Sequence, residues 1–228
     1  MVICDRAVKI WELIYKDGFM ALKVHEIFYS LQGETTTAGL TSVFIRLAGC
    51  NLNCIWCDTP QAKTGGTDMT IDEIMEKVRE FEPFNHITLT GGEPLLQEES
   101  VELLHRLTDN GYDVQVETNG SIIFDSMPRG VRIVADVKTP SSGEEGSFKP
   151  DNIKYLKKYD EIKFVIGIME DYQFAKDFIK THLQGVECVI NFTPAAKLME
   201  PWALASMIIK DRLNVRLNLQ LHKIANFQ

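Results

Sequence analysis

Three of the five cysteines in this 228-residue chain fall within eight positions, Cys50, Cys54 and Cys57, spaced C-x3-C-x2-C. A structural zinc takes four N/S ligands, usually as two close pairs. No second pair is present, because Cys4 and Cys188 stand alone and neither neighbours a histidine. Three thiolates in one tight loop suit an iron–sulfur cluster with three irons held by protein and the fourth open to another ligand.

Other residues could do chemistry beside that loop. Thr90-Gly91-Gly92-Glu93-Pro94 closes an apolar run. Paired glycines let backbone approach a ligand, and a carboxylate such as Glu93 can accept charge-assisted hydrogen bonds from an ammonium group. The alternative is a plain strand-terminal turn. Arg46, between Phe44-Ile45 and Leu47 on a strand leading into the cysteine loop, is poorly placed for a surface ion pair. Its planar fork fits a carboxylate. Gln220 and His222 are two apart, on one face if the segment is a strand. Trp56 could shield a cluster or simply pack. Thr59, ahead of Pro60, could be a metal ligand or a turn residue, and Lys138 a ligand contact or a solvated loop lysine.

The elements that must position these residues alternate as short apolar strand, loop and amphipathic helix. Strands are expected at 24–29, 42–47, 86–90, 114–118, 131–137, 161–166, 188–192 and 215–220. Thr70 and Glu73 form a capping box that starts a helix running to about Phe81. Further helices are expected at 99–109, stopped near Gly111, at 152–159, 171–183 and 200–211. Strand–helix alternation argues for a parallel sheet with crossover helices. The candidate residues sit just after strands, where βα barrels place their sites. The 118–131 link has little helical periodicity, so fewer outer helices than strands are expected.

Taken in order, these words resemble a known family. C-x3-C-x2-C with an aromatic before the last cysteine is the signature of radical S-adenosylmethionine (SAM) enzymes. Ser30-Leu31-Gln32-Gly33-Glu34, Arg46-Leu47-Ala48-Gly49-Cys50-Asn51-Leu52, Cys57-Asp58-Thr59, Thr90-Gly91-Gly92-Glu93-Pro94 and Gln220-Leu221-His222-Lys223 narrow the likeness to the 7-carboxy-7-deazaguanine synthase family, across about residues 22–228. The resemblance implies an α/β fold, an open, partial βα barrel with about six core parallel strands and a reduced set of outer helices. It implies a [4Fe-4S] cluster on Cys50, Cys54 and Cys57, and SAM near Trp56, Asp58, Gly92, Glu93, Asp136, Lys138 and Thr193. It implies Mg2+ on the Thr59 hydroxyl. The implied substrate is 6-carboxy-5,6,7,8-tetrahydropterin, met by Leu31, Gln32, Gly33, Arg46, Thr90, Glu117, Gln220 and His222, with Gln228 offering its terminal carboxylate. The implied reaction is a ring contraction to 7-carboxy-7-deazaguanine with loss of ammonia, on the path to queuosine-type nucleosides. A flavodoxin or ferredoxin electron donor and a homodimer follow from the same likeness. The competing readings are a glycyl-radical-enzyme activase and a non-catalytic iron–sulfur module.

Bulk properties narrow the rest. Hydrophobic content of 45 % is globular, and 228 residues fit one domain with a full core. A net charge of −8 argues against general nucleic-acid binding. The apolar runs are too short to span a membrane. Clustered free cysteines suit a reducing compartment, hence a cytoplasmic enzyme. Residues 1–19 lack a signal-peptide pattern, and they are expected to be an extension upstream of a functional start at Met20, with 20–228 a single domain. The family usually has glycine where this chain has Thr35. A β-branched residue resists positive φ, so the loop is expected to differ there.

Overall fold

The computed structural model of the protein describes residues 21–227. The extension at 1–19, the start at Met20 and the terminal carboxylate of Gln228 lie outside them.

Among the described residues nine strands form one sheet in the order β3-β1-β2-β4-β5-β6-β7-β8-β9. They are β1 (Ala21–Leu31), β2 (Thr41–Leu47), β3 (Thr67–Thr70), β4 (His86–Gly91), β5 (Asp113–Thr118), β6 (Arg132–Asp136), β7 (Glu161–Ile166), β8 (Val189–Pro194) and β9 (Arg216–Leu217). From β2 to β9 every neighbouring pair is parallel, while β1 pairs antiparallel with both β2 and β3. The ends of the sheet, β3 and β9, do not pair with each other, so the barrel is open.

The helices are α1 (Ile71–Arg79), α2 (Glu99–Asp109), α3 (Met169–His182), α4 (Pro201–Asp211) and α5 (Leu221–Ala225). α1 begins at the expected box: Thr70 accepts from the Glu73 amide at 3.2 Å, and Glu73 accepts from the Thr70 amide at 2.7 Å. Its buried Ile71, Ile74, Met75 and Val78 lie on one face, the spacing a 3.6-residue period requires. No helix joins β5 to β6, and β6 reaches β7 only through the 3-10 turns Pro140–Ser142 and Pro150–Tyr155. The sheet is thus covered by fewer helices than it has crossovers.

Alternation along the strands separates two environments. Val43, Ile45, Leu47, Ile87, Leu89, Val114, Val116, Ile162, Phe164 and Phe192 join Leu103, Leu104, Leu107, Tyr172 and Leu204 of the helices in one apolar core. The opposite residues of the same strands are polar: Ser42, Thr88, Thr90, Gln115, Glu161, Asn191 and Thr193 are all buried. A closed (β/α)8 barrel fills its inside with branched apolar side chains; this one keeps hydrogen-bonding groups there.

Those groups bridge the open side. The loop after β1 crosses to the last strands. The Thr36 amide donates to Glu161 at 3.0 Å, the Thr35 amide to the Asn218 side-chain oxygen at 2.9 Å, and the Leu221 amide to the Gly33 carbonyl at 2.8 Å. Thr35 takes φ +68° despite its branched side chain. Its amide bond to Asn218 and a 2.9 Å contact between its hydroxyl and that of Thr37 hold it there, offsetting strain of about 1–3 kcal/mol.

Three expectations need correction. The strand expected at 215–220 has two residues, because Asn218 turns inward to the loop and Gln220 starts α5. Gln220 and His222 therefore meet the site from a helix N-cap and first turn, not from one strand face. The helix expected at 152–159 is a 3-10 turn over Pro150–Tyr155. β3, unforeseen, is a four-residue edge strand opposite Ala21–Val24.

Candidate functional site

A cavity of about 400 Å³ opens at the carboxyl ends of the parallel strands. It is lined by the three cysteines, all half-buried and free of disulfides, with Trp56, Asp58 and Thr59. Leu31, Gln32, Gly33 and Arg46 from β1, its loop and β2 line it too, with Gln220 and His222 from the start of α5, whose Lys223 lies 3.4 Å from Asp58. Thr90, Gly92, Glu117, Asp136 and Lys138 complete the lining. The register explains this convergence, since it sets Arg46 beside Thr90, Thr118 beside Ala135 and Asp136 beside Lys163.

The cysteine loop is stapled to its neighbours. The Gly49 amide donates to the Ala62 carbonyl at 2.8 Å, and the Glu93 amide to the Gly49 carbonyl at 2.8 Å. A Cβ at Gly92 would run into the Gly49 carbonyl oxygen and the Cys50 side chain, so only glycine lets the two turns touch. Among the described residues no three His, Cys, Asp or Glu side chains converge on a single ion. A four-iron cluster does not need that, because each thiolate takes a different iron. Three free thiols at one cavity wall fit such a group. Burial raises the Cys54 thiol, and the Lys138 charge works against that rise.

Glu93 stands apart from the cavity. Its carboxylate is fully enclosed and accepts from the Leu95 amide (3.0 Å), the Thr118 hydroxyl (2.8 Å) and the Asn119 amide (2.6 Å). Burial pushes its carboxyl above the ordinary value. It ties the turn after β4 to the end of β5 and leaves the cavity wall to Gly91 and Gly92. Thr193 is also fully buried, accepting from the Asn218 amide group at 2.9 Å, and does not line the cavity.

Charges line the middle of the site. Lys138 lies 3.1 Å from Asp136, and Lys163 lies 3.0 Å from Glu34 and 3.5 Å from Asp136. Burial disfavours the Asp136 charge, but the two lysines outweigh it and hold the carboxyl below its ordinary value. Burial likewise opposes the Lys163 charge, and Glu34 and Asp136 overcome it, raising the ammonium well above the usual lysine value. On the floor, Glu117 accepts from Gln32 and from the Thr90 hydroxyl, both at 3.1 Å, and burial pushes its carboxyl up. Arg46 donates through Nε to Glu26 at 2.8 Å, with its guanidinium 5.8 Å from the centre of the Phe28 ring. With Nε given to Glu26, the two terminal nitrogens of the fork remain to meet a carboxylate end-on.

Several residues of this network have no role assigned from sequence. Glu34 accepts from Gln220 at 2.6 Å as well as from Lys163. Asn119 donates to Asn51 at 3.1 Å, and Asn51 to Ser121 at 2.8 Å, linking the loops after β2 and β5. Lys163 carried a signal: it is a lone cation within Ile162–Ile166 of an apolar strand. Asn51 and Asn119 carried only their place beside the motifs.

Residues 44–142 match the model of the Radical SAM superfamily. The 7-carboxy-7-deazaguanine synthase of Koribacter versatilis is 41% identical over 216 residues, covering 89% of this chain and 96% of that protein. That of Methanospirillum hungatei is 42% identical over 203 residues, covering 89% and 84%. Among solved structures, QueE from Escherichia coli shares the fold with a TM-score of 0.75 at 24% identity, over 92% of this chain and 99% of that one. With the cysteine loop, the glycine turn and the polar residues of β1, β2 and α5 gathered on one cavity, the chain belongs to the 7-carboxy-7-deazaguanine synthase family of radical SAM enzymes.

Proposed function

We propose that the chain converts 6-carboxy-5,6,7,8-tetrahydropterin to 7-carboxy-7-deazaguanine with loss of ammonia. The observation that carries this is that one cavity is lined both by three free thiols and by the polar side chains of Gln32, Arg46, Glu117, Gln220 and His222, which would hold a ring and a carboxylate. Cys50, Cys54 and Cys57 would hold the [4Fe-4S] cluster, which supplies an open iron for SAM and the electron that cleaves it. The backbone of Gly91 and Gly92 stands on the cavity wall beside Cys50, and the Asp136–Lys138 pair offers both charges to the amino acid and ribose groups of SAM. Glu93 and Thr193 serve by fixing the turns around them.

Gln32 and Glu117 face the pterin from the floor, Arg46 takes its carboxylate, and Gln220 and His222 close over it from α5. The Thr59 hydroxyl makes no capping bond to the 3-10 turn that follows it, which leaves it able to meet a Mg2+ whose other ligands are substrate oxygens and water. A flavodoxin or ferredoxin would supply the electron, in a cytoplasmic homodimer.

The test of the substrate end is Arg46→Ala. Losing a charge-assisted pair costs about 2–5 kcal/mol when a buried charge is left unpaired, so the carboxypterin should bind at least tenfold more weakly while SAM affinity holds. Equal losses for both ligands, measured by titration calorimetry, would assign Arg46 to folding through Glu26 instead. A glycyl-radical-enzyme activase would show no saturable binding of the pterin at all.

A further inference from the structure

Asp171, near the start of α3, is fully buried and does not line the cavity, yet it holds a knot of hydrogen bonds. It accepts from the Ser141 amide (2.8 Å), the Ser141 hydroxyl (2.6 Å), the Gly167 amide (2.8 Å) and the Ile168 amide (3.0 Å). Ser141 in turn accepts from the Trp56 indole nitrogen at 3.2 Å. Trp56 lies between Cys54 and Cys57, lines the cavity, and has the Lys138 ammonium 5.8 Å from its ring centre. Two more bonds tie the same loops: Ile55 amide to Ser142 carbonyl at 2.9 Å, and Asn53 amide to Glu144 at 2.5 Å.

We propose that Asp171 is a positioning residue for Trp56, and through it for the stretch bearing Cys54 and Cys57, acting by way of the Ser141 hydroxyl. The proton count makes the arrangement directional. A carboxylate accepts only, so the single hydroxyl proton of Ser141 is committed to Asp171. The Ser141 oxygen is then left with lone pairs alone towards Trp56, whose indole nitrogen can only donate. The side chain that enters the cluster loop is thereby fixed by a charge on the far side of the 139–143 loop. Because Gly167 and Ile168 follow β7, the device also links the end of that strand to the thiol wall.

The inference rests on the radical SAM reading only for its functional consequence. The test uses the full-length reconstituted enzyme with Trp11 and Trp202 changed to Phe, so that Trp56 is the remaining tryptophan. Ultraviolet resonance Raman should show its indole N–H hydrogen-bonded in this background. Ser141→Ala and Asp171→Asn should lose that band position, and Ser141→Thr should restore it. The same Ser141→Ala protein should raise KM for SAM about three- to tenfold, the loss expected of one hydrogen bond, with kcat changed less. In the original background, Ser141→Ala and Trp56→Phe should not multiply, since both delete one bond. Ser141→Ala keeps the main-chain bond to Asp171, so it stands if Asp171→Asn does not fold. An unbonded indole in the parent, an unchanged KM for SAM, or multiplicative losses would overturn the proposal. Absence of SAM cleavage in the parent would instead count against the enzyme reading, with the Raman result still deciding the geometry.

Discussion

At the scale of single residues, three thiols and the charges of Arg46, Asp136 and Lys138 line one cavity. The spacing of Cys50, Cys54 and Cys57 pointed to three ligands on one loop, and all three face one cavity. Cys54→Ala should abolish stable cluster binding and SAM cleavage. Cys188→Ala should leave both intact, because Cys188 is packed beside the apolar core and lines no part of the site. Iron content and 5′-deoxyadenosine yield check it, and turnover in Cys54→Ala would refute the assignment. Glu93 shows the limit of motif reading. Its sequence context offers it to an ammonium group, but the fold spends its oxygens on the Leu95 and Asn119 amides and the Thr118 hydroxyl. Glu93→Gln would turn an amide NH2 towards one of those donors. It should cost about 1–3 kcal/mol of stability, seen as a lower denaturation midpoint with the iron content of surviving protein unchanged. The pairing of Glu34 with Lys163 was missed because a contact across 129 positions leaves no local pattern, even though Lys163 stands out as a lone cation in an apolar strand.

At the scale of elements, period and caps placed α1, α2 and the strands β2 and β4 to β8 within a few residues. Strand β3 was lost because its pairing with Ala21–Val24 is a tertiary fact. The last segment misled because its alternation fits a strand, while Asn218, Gln220 and Leu221 are drawn off to Thr35, Glu34 and Gly33. The outcome is α5, a short helix seated on Gly33, where a Cβ would collide with the His222 ring. Burial lowers the His222 imidazole below its ordinary 6.5. Docked α5 therefore binds fewer protons than an undocked one, so this contribution to its seat is complete above pH 6.5 and is lost as pH falls through the depressed value. KM for the carboxypterin should rise as the pH drops from 6.5 towards that value. His222→Gln should flatten the profile, and an unchanged slope in that variant would remove α5 from the pH dependence.

At the scale of the whole molecule, the apolar core lies between sheet and helices, and the barrel interior is given to polar chains. The sequence showed βα alternation and a missing crossover helix, enough for an open barrel. It did not show that the open side is bridged by the loop at Thr35 and Thr36 reaching Asn218 and Glu161. That closure brings the cysteine loop and α5 onto one cavity, as action of a cluster-bound SAM on a pterin requires. The most direct test is turnover of 6-carboxy-5,6,7,8-tetrahydropterin by anaerobically reconstituted protein with SAM, Mg2+ and a reductant. The expected result is 7-carboxy-7-deazaguanine by mass and ultraviolet spectrum, with one ammonia released per product. SAM cleaved to 5′-deoxyadenosine while the pterin is recovered unchanged and no ammonia appears would contradict it.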